Sequence, residues 1–538
     1  MTNKRFHILK YALLAYLSVT VLLPMIVLFA TIRPEHIADI FSAAQFWPMV
    51  KNSLITTLAA TVISVVLAFL LAFAINRSAI RLKSIWVILF TVPMLIPSIS
   101  HGMGLVLLFG DNGLITNFLG INIGLYGYTG IIMGSVLYSF PIAFLLFFDS
   151  FQYEDYTIYE AARVLGISKW RQFLKITLPS MRQTIISSVL SVFTMVFTDY
   201  GVPLMTGGTA KTLPVYMYEE VIGNLNFSGG AVVGVLLLLP AFIAFLLDLK
   251  KSQSAGGAST VTKPYGIEKN KTRDILVYIA FAVTLFLLCL PIFAFICLSF
   301  VKQYPVDMSF TLDNITRLLE NGIGNYLINS LAIALLTALL GTCLSYFSAF
   351  ITARSRKKIS NQVLHLISML SLAIPGLVLG IAYVLSFKSM PFYSTLFILV
   401  IVNIVHFFSS PYLLAYNSLS KFNPNLEDVA KTLGISRIRM LLNVYVPSTL
   451  MTVVEMYSYY FVNAMITISA VSFLYTFRTI PLSLMIPQLD SQSFIEGTAL
   501  VSLLILTLNL AEKGIAFFMK RALVKQQTAS TVQEHSEG

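Results

Sequence analysis

Tyr159-Glu160-Ala161-Ala162-Arg163-Val164-Leu165-Gly166 leads on to Ile176-Thr177-Leu178-Pro179, and a degenerate copy follows as Asp428-Val429-Ala430, Gly434 and Val444-Tyr445-Val446-Pro447. Glu-Ala-Ala with a Gly six residues after the Glu predicts a short helix, a turn that glycine permits, and a second helix ending ahead of the Pro. Small Ala side chains admit a partner surface closely, and an acid near a helix start is favoured by the macrodipole. A rigid, polar element of this kind lies outside a bilayer and can act as a lever between an attached subunit and the rest of the chain. The second copy has Asp for Glu, Val for Ala and Val for Ile and Leu, which predicts a weaker or differently tuned contact with any partner surface there.

Outward from these loops the chain is apolar. Of its 538 residues 57% are hydrophobic and 11% charged, far from the roughly 25% charged of soluble domains. A membrane span takes about 20 mostly apolar residues, and apolar runs near 9–31, 52–75, 84–108, 128–148, 183–206, 230–248, 274–300, 327–352, 362–387, 394–416, 450–475 and 493–518 predict twelve. The first run follows Lys4, Arg5 and Lys10 without a small-residue cleavage site, which reads as a retained signal anchor. With the N-terminus inside, 29 of the 36 Lys and Arg residues fall on the cytoplasmic side, so both termini are expected there. The net charge of +12 is thereby explained by loops at a membrane face, and nucleic acid is not an expected partner. Cys289, Cys297 and Cys343 lie in apolar runs, without the spacing of a metal or redox site.

The polar segment Lys250 to Arg273 interrupts the pattern near the midpoint and reads as a cytoplasmic linker between two halves. Asn52-Ser53-Leu54 and Arg77-Ser78 recur as Asn329-Ser330-Leu331 and Arg354-Ser355 at an offset of 277, and Ile96-Pro97 with Gly102 recurs as Ile374-Pro375 with Gly380 at 278. Gly166 and Pro179 correspond to Gly434 and Pro447 at 268, the change fitting a longer outer loop in the first half. Six spans in each half, both starting inside, make the repeats parallel.

Glu160, Ala161, Ala162, Gly166 and Pro179, placed after the fourth of six spans, resemble the EAA loop of ATP-binding-cassette importer permeases. The resemblance implies an all-α integral membrane protein of the type I importer permease fold, with about twelve transmembrane helices in two parallel six-helix repeats. The divisions are then a first half at 1–249, a linker at 250–273, a second half at 274–520 and a polar tail at 521–538. It implies that these residues, with Asp428, Ala430, Gly434 and Pro447, seat in two nucleotide-binding ATPase subunits, and that an extracytoplasmic solute-binding protein loads the path. The chain then sits among lipid in a bacterial inner membrane and binds no cofactor itself, ATP and Mg belonging to the partner. Phe197 to Gly208 and Met465 to Thr476 resemble the members that import 2-aminoethylphosphonate, within a group that also imports ferric iron or thiamine.

The chain has no phosphate-cradling loop, since Met205 to Thr212 has Met and Ala where both glycines belong. It also lacks a metalloprotease motif, a nucleophile elbow and a clustered carboxylate pair, so no catalysis is expected of it. An ion-coupled secondary transporter is the main alternative, opposed by the scarcity of membrane-embedded carboxylates; an intramembrane enzyme would need a matched polar pair. Ionisable and polar residues within spans mark candidates for the path. His101 follows Pro97 and either contacts solute or bonds a neighbouring carbonyl, while Asp199 either shapes the outer gate, pairs with His101, or caps a helix end. Glu455, Tyr459, Tyr460, Asn463, Thr467 and Ser469 form a polar stripe expected to face the cavity or the first half.

Overall fold

Two apolar segments break at an Ile-Pro pair. A computed structural model describes residues 2–252, 265–355 and 358–536, and the middle of the linker, 253–264, lies outside the described residues. Pro97 has no N–H to offer the carbonyl of Pro93, and Ile96 is extended at φ −116°, ψ 152°. The span expected over 84–108 therefore divides into Lys83–Thr91 with a 3-10 turn Val92–Leu95, and Ser98–Phe109. The break recurs at Ile374-Pro375, where Ile359–Ala373 and Gly376–Phe387 are bent by 114°. Leu396–His406 and Ser409–Ser420 are bent by 52° just ahead of Pro411.

Two expected spans also end early. The eleventh stops at Ile466, where Thr467 turns to extended backbone, and the fifth stops at Phe197 before a separate short helix Gly201–Thr206. Among the described residues eight helices are long and apolar enough to cross a membrane, or eleven if each of three bent pairs counts as one span. The chain is an all-α membrane protein, and its described residues include one small antiparallel pair of strands, Val301–Gln303 and Asp307–Phe310.

Contacts sort the chain into two compact units that do not follow chain order. Met1–Ile37, Glu220–Leu238 and Leu312–Gly538 make one, and Ala38–Glu219 with Leu239–Thr311 the other. The expected boundary at 250–273 divides the sequence, whereas packing assigns the first helix of each sequence half to the unit built mainly from the opposite half. In the first unit, the opening helix passes through a π-turn at Ser18–Leu22, because Pro24 leaves the carbonyl of Thr20 without its helical donor; Tyr383 O–H donates to it at 2.7 Å. In the second unit, Lys271–Ser299 lies against Ser98–Phe109 at Gly104, where an added Cβ would come 2.4 Å from Pro291 Cβ.

The Asn-Ser repeat performs one task twice. Asn52 Nδ2 donates to Lys211 O at 3.0 Å and Ser53 Oγ accepts from Leu213 N–H at 2.8 Å. Asn329 Nδ2 donates to Arg478 O at 3.0 Å and Ser330 Oγ accepts from Leu482 N–H at 2.6 Å. Each pair ties the long second helix of its half to backbone that no regular ladder satisfies.

Candidate functional site

Both loops fold alike despite their sequence differences. In the first, helix Thr157–Val164 closes with Gly166 at φ +68°, Ile167 N–H reaching Ala162 O at 2.9 Å and Gly166 N–H reaching Arg163 O at 3.0 Å. In the second, helix Leu426–Thr432 closes with Gly434 at φ +68°, Ile435 N–H reaching Ala430 O at 2.8 Å and Gly434 N–H reaching Lys431 O at 3.2 Å. This crossed pair of bonds is the Schellman ending, and it requires the left-handed conformation that glycine adopts without penalty. An added Cβ at either glycine meets nothing within 4 Å, so the requirement lies in the backbone alone.

Ser168 and Ser436 cap the following helices, accepting from Arg171 and Arg439 N–H. Each then runs through a π-turn, Phe173–Thr177 or Leu441–Tyr445. Pro179 and Pro447 stand in the first positions of the short helices that continue it, Leu178–Ser180 and Val446–Ser448, rather than after a helix end. Ala162 and Ala430 face inward, while Ala161, Gly166, Asp428, Gly434, Pro179 and Pro447 are exposed and Glu160 is half-buried. The outward crown is apolar: Val164 is 87% exposed, Leu165 76% and Leu433 70%, beside exposed Ile158, Trp170 and Val429. Large apolar side chains exposed on a polar loop are open to contact by another surface.

What holds each loop is a buried arginine, from the Arg-Ser pair that recurs in the two halves. Arg77 pairs with Glu154, their side chains 10% and 6% exposed, and Tyr159 O–H donates to the same carboxylate. Arg354 forms two bonds of 2.7 Å with Glu427, gives two more to the carbonyls of Phe422 and Asn423, and Tyr445 O–H donates to Glu427 at 2.5 Å. Burial first, and then the Glu427 carboxylate, push the Tyr445 hydroxyl up to about 12, so it remains a donor; burial first, and then the Glu154 carboxylate, raise Tyr159. The arginines occupy equivalent positions, but their partners do not. Glu427 stands where the first half has Tyr159, and Tyr445 where it has Thr177.

The first loop carries an additional cover, from the far end of the linker. Tyr265 lies over Arg77 with 3.2 Å between the guanidinium carbon and the ring centre, and its ring meets those of Tyr156 and Tyr159 edge-on. Glu268 pairs with Arg163 at 2.9 Å and reaches Lys169 at 3.8 Å. Gly266 lies so close to Tyr156 that an added Cβ would sit 2.8 Å from its ring.

The candidates within the spans turn to local partners. His101 is fully buried, and its Nε2–H donates to Pro93 O at 3.0 Å, the carbonyl that Pro97 leaves without a helical donor. Asp199 caps the helix Gly201–Thr206, accepting from Val202 N–H at 3.0 Å and Gly201 N–H at 3.4 Å, and also takes a hydrogen bond from Ser98. Asn463 Nδ2 donates to Tyr459 O at 2.8 Å, and Thr467 Oγ donates to Asn463 O at 2.7 Å, while Thr467 O accepts from Ser483. The stripe is split: Glu455 pairs with Lys520 at 2.5 Å on helix Ile495–Ser536 rather than turning to a cavity or the first half, and Ser458, outside the stripe, bonds Glu512 on the same helix. Tyr460 packs on Gly341, where an added Cβ would be 2.8 Å from its ring. His101→Leu is expected to cost about 1–3 kcal/mol by orphaning the buried Pro93 carbonyl, and His101→Gln distinctly less. Thermal unfolding of the two variants checks this, and equal midpoints would remove the role assigned to the imidazole.

The stretches Phe197 to Gly208 and Met465 to Thr476 are packing elements. An added Cβ at Gly102 would lie 2.8 Å from Met205 Cβ, and one at Gly134 2.5 Å from Val202 Cγ1. In the other unit a Cβ at Gly376 would lie 2.2 Å from Ser469 Oγ, and one at Gly380 3.0 Å from Ala470 O. Glycines on the broken helices, joined by Gly134 on the continuous helix Tyr128–Gln152, thus receive both stretches.

The chain is 25% identical over 491 residues to the ferric transport system permease protein FbpB of Actinobacillus pleuropneumoniae, covering 88% of this chain and 71% of that one. It is 25% identical over 394 residues to the thiamine transport system permease protein ThiP of Haemophilus influenzae, covering 70% and 71%. A solved structure of a bacterial alginate ABC transporter, in complex with an alginate-bound periplasmic protein, aligns with 46% of the chain and 96% of its own at 19% identity and a TM-score of 0.39. The family described as binding-protein-dependent transport system inner membrane component matches residues 64–249 and again 341–523, and the chain belongs to that family, carrying its domain twice.

Proposed function

We propose that this permease is driven by two nucleotide-binding ATPase subunits, one seated on Thr157–Gly166 and the other on Leu426–Gly434, and is loaded by an extracytoplasmic solute-binding protein. The observation that carries this is the duplicated loop, with the same Schellman ending and an apolar crown on a polar element, each held by a buried arginine at the end of a long helix. ATP with its Mg binds the partner, and closure of the two ATPase subunits on the loops rocks the attached helices to expose the path alternately to either side. Both termini and both loops lie in the cytoplasm, as the distribution of Lys and Arg indicates.

The solute is small. The reading as 2-aminoethylphosphonate rests on Phe197 to Gly208 and Met465 to Thr476, whose residues have a sufficient packing role. Ferric iron, named in the relative that spans 88% of the chain, is the favoured cargo, with thiamine next. His101, Asp199, Tyr459, Asn463 and Thr467 border the path as shape-setting residues, since their polar groups are engaged locally. Uptake of each labelled solute into proteoliposomes carrying the assembled transporter decides among the three.

The seating itself is tested by copurifying the tagged chain with a nucleotide-binding subunit and assaying ATPase in lipid. Gly166→Val with Gly434→Val forces a branched residue to positive φ, at roughly 1–2 kcal/mol per site, and is expected to lose stimulated ATPase. Asn at both positions, which tolerates that conformation, is expected to retain most of it. Equal activity of the Val and Asn pairs would overturn the reading, as would transport driven by an ion gradient without any ATPase bound.

A further inference from the structure

Beside the second loop a cavity of about 350 Å³ is lined by Lys10, Lys358, Lys431 and Arg437, together with Asp428 and Glu427. Glu427 is committed to Arg354 and Tyr445, which leaves Asp428 against four cations. Lys10 Nζ donates to Ser360 Oγ at 2.6 Å and Arg437 to Ser355 Oγ at 3.0 Å. Among the described residues none of these four cations forms an ion pair.

The internal repeat indicates what belongs there. At the offset of 268 that relates the loops, Lys431 and Arg437 are the counterparts of Arg163 and Lys169. Those two are bridged by a carboxylate, that of Glu268, placed by the segment that enters the first helix of the second half. Whereas in the first loop Tyr265 lies over Arg77, the segment entering the first half brings an aromatic ring to a different cation of its loop, Phe6 over Arg437, the counterpart of Lys169. Its charged residue, however, is Lys10 instead of an acid, so two cations that hold an anion in one loop meet a third in the other.

We propose that the cavity beside the second loop binds an anionic phosphate group, which takes the place that the Glu268 carboxylate fills in the first. Four cations exceed what one carboxylate neutralises and suit a phosphate, and the volume leaves room for what the phosphate is attached to. Lys10 stands at the start of the first apolar helix, a level at which basic residues meet lipid headgroups. The phosphate comes from a lipid headgroup or from free phosphate.

The test uses the full chain in nanodiscs of phosphatidylcholine, with or without phosphatidylglycerol. Native mass spectrometry counts retained phosphatidylglycerol, and thermal unfolding in phosphatidylcholine discs is followed against inorganic phosphate with chloride at equal ionic strength as the reference. Lys358→Gln with Lys431→Gln changes two exposed residues, Arg437→Gln provides a second variant, and Arg163→Gln with Lys169→Gln is the control in the first loop. Binding weakened on the order of tenfold in the second-loop variants and unchanged in the control is expected. Retained phosphatidylglycerol identifies a headgroup, and a phosphate-dependent rise in midpoint identifies free phosphate. Absence of both responses in the unsubstituted chain, or equal loss in the control, overturns the proposal.

Discussion

Arg77→Met and Arg354→Met are each expected to destabilise the loop they hold by about 3–5 kcal/mol, because each strips the partner from a buried carboxylate. In the first half the abandoned acid is Glu154, 6% exposed, which would keep only the hydroxyls of Tyr159 and Ser180. In the second, Glu427 would keep Tyr445, while the carbonyls of Phe422 and Asn423 would lose their donors as well. Replacing both members, as in Arg77→Met with Glu154→Leu, is expected to recover most of the loss, since an apolar pair of similar volume has no charge to desolvate. Thermal unfolding in detergent, with proteolysis confined to the loop as the local readout, checks the pattern. A single arginine variant as stable as the parent would show that the ion pair does not hold the loop.

Leu165→Asp combined with Leu433→Asp is expected to abolish association with the ATPase while leaving the permease folded. Both side chains are largely exposed, at 76% and 70%, so a charge there disturbs no internal packing. Burying each leucine in a partner groove is worth roughly 1.5–3 kcal/mol, and losing both weakens the complex about a hundredfold to ten-thousandfold. Copurification and stimulated ATPase report the loss, and an unchanged unfolding midpoint separates it from misfolding. If the complex survived both charges, the crown would not be the docking surface. The two sites also contribute separately: the first crown carries Trp170 and Val164 beside Leu165, so Leu165→Asp alone is expected to weaken binding more than Leu433→Asp alone.

Much of this arrangement is legible in the chain because it depends on backbone chemistry. A glycine six residues after Glu160 announces a left-handed turn, and the turn at Gly166 has φ +68°. The repeated Ile-Pro announces a break, and both halves break there, since a residue without an N–H leaves a carbonyl of the ladder without its donor; Pro141 and Pro291, by contrast, are carried inside the continuous helices Tyr128–Gln152 and Lys271–Ser299. The polar stripe was harder to read. Periodicity locates Glu455 and Tyr459 on one face of a helix, but only packing shows that Glu455 meets Lys520.

The apolar runs, the parallel duplication and the positions of the turns follow from the order of residues, because each is set by properties of the residues themselves and of their near neighbours. The buried clusters do not. Arg77 and Arg354 are aligned in sequence, yet the carboxylate and hydroxyl that satisfy them come from different positions in the two halves, so no register comparison pairs Glu154 with Glu427 or Tyr159 with Tyr445. Likewise a linker glutamate and a residue near the N-terminus arrive at comparable loops with opposite charge. A buried ion needs a partner within reach, from whatever part of the chain, and which part supplies it is settled by how helices distant in sequence pack together.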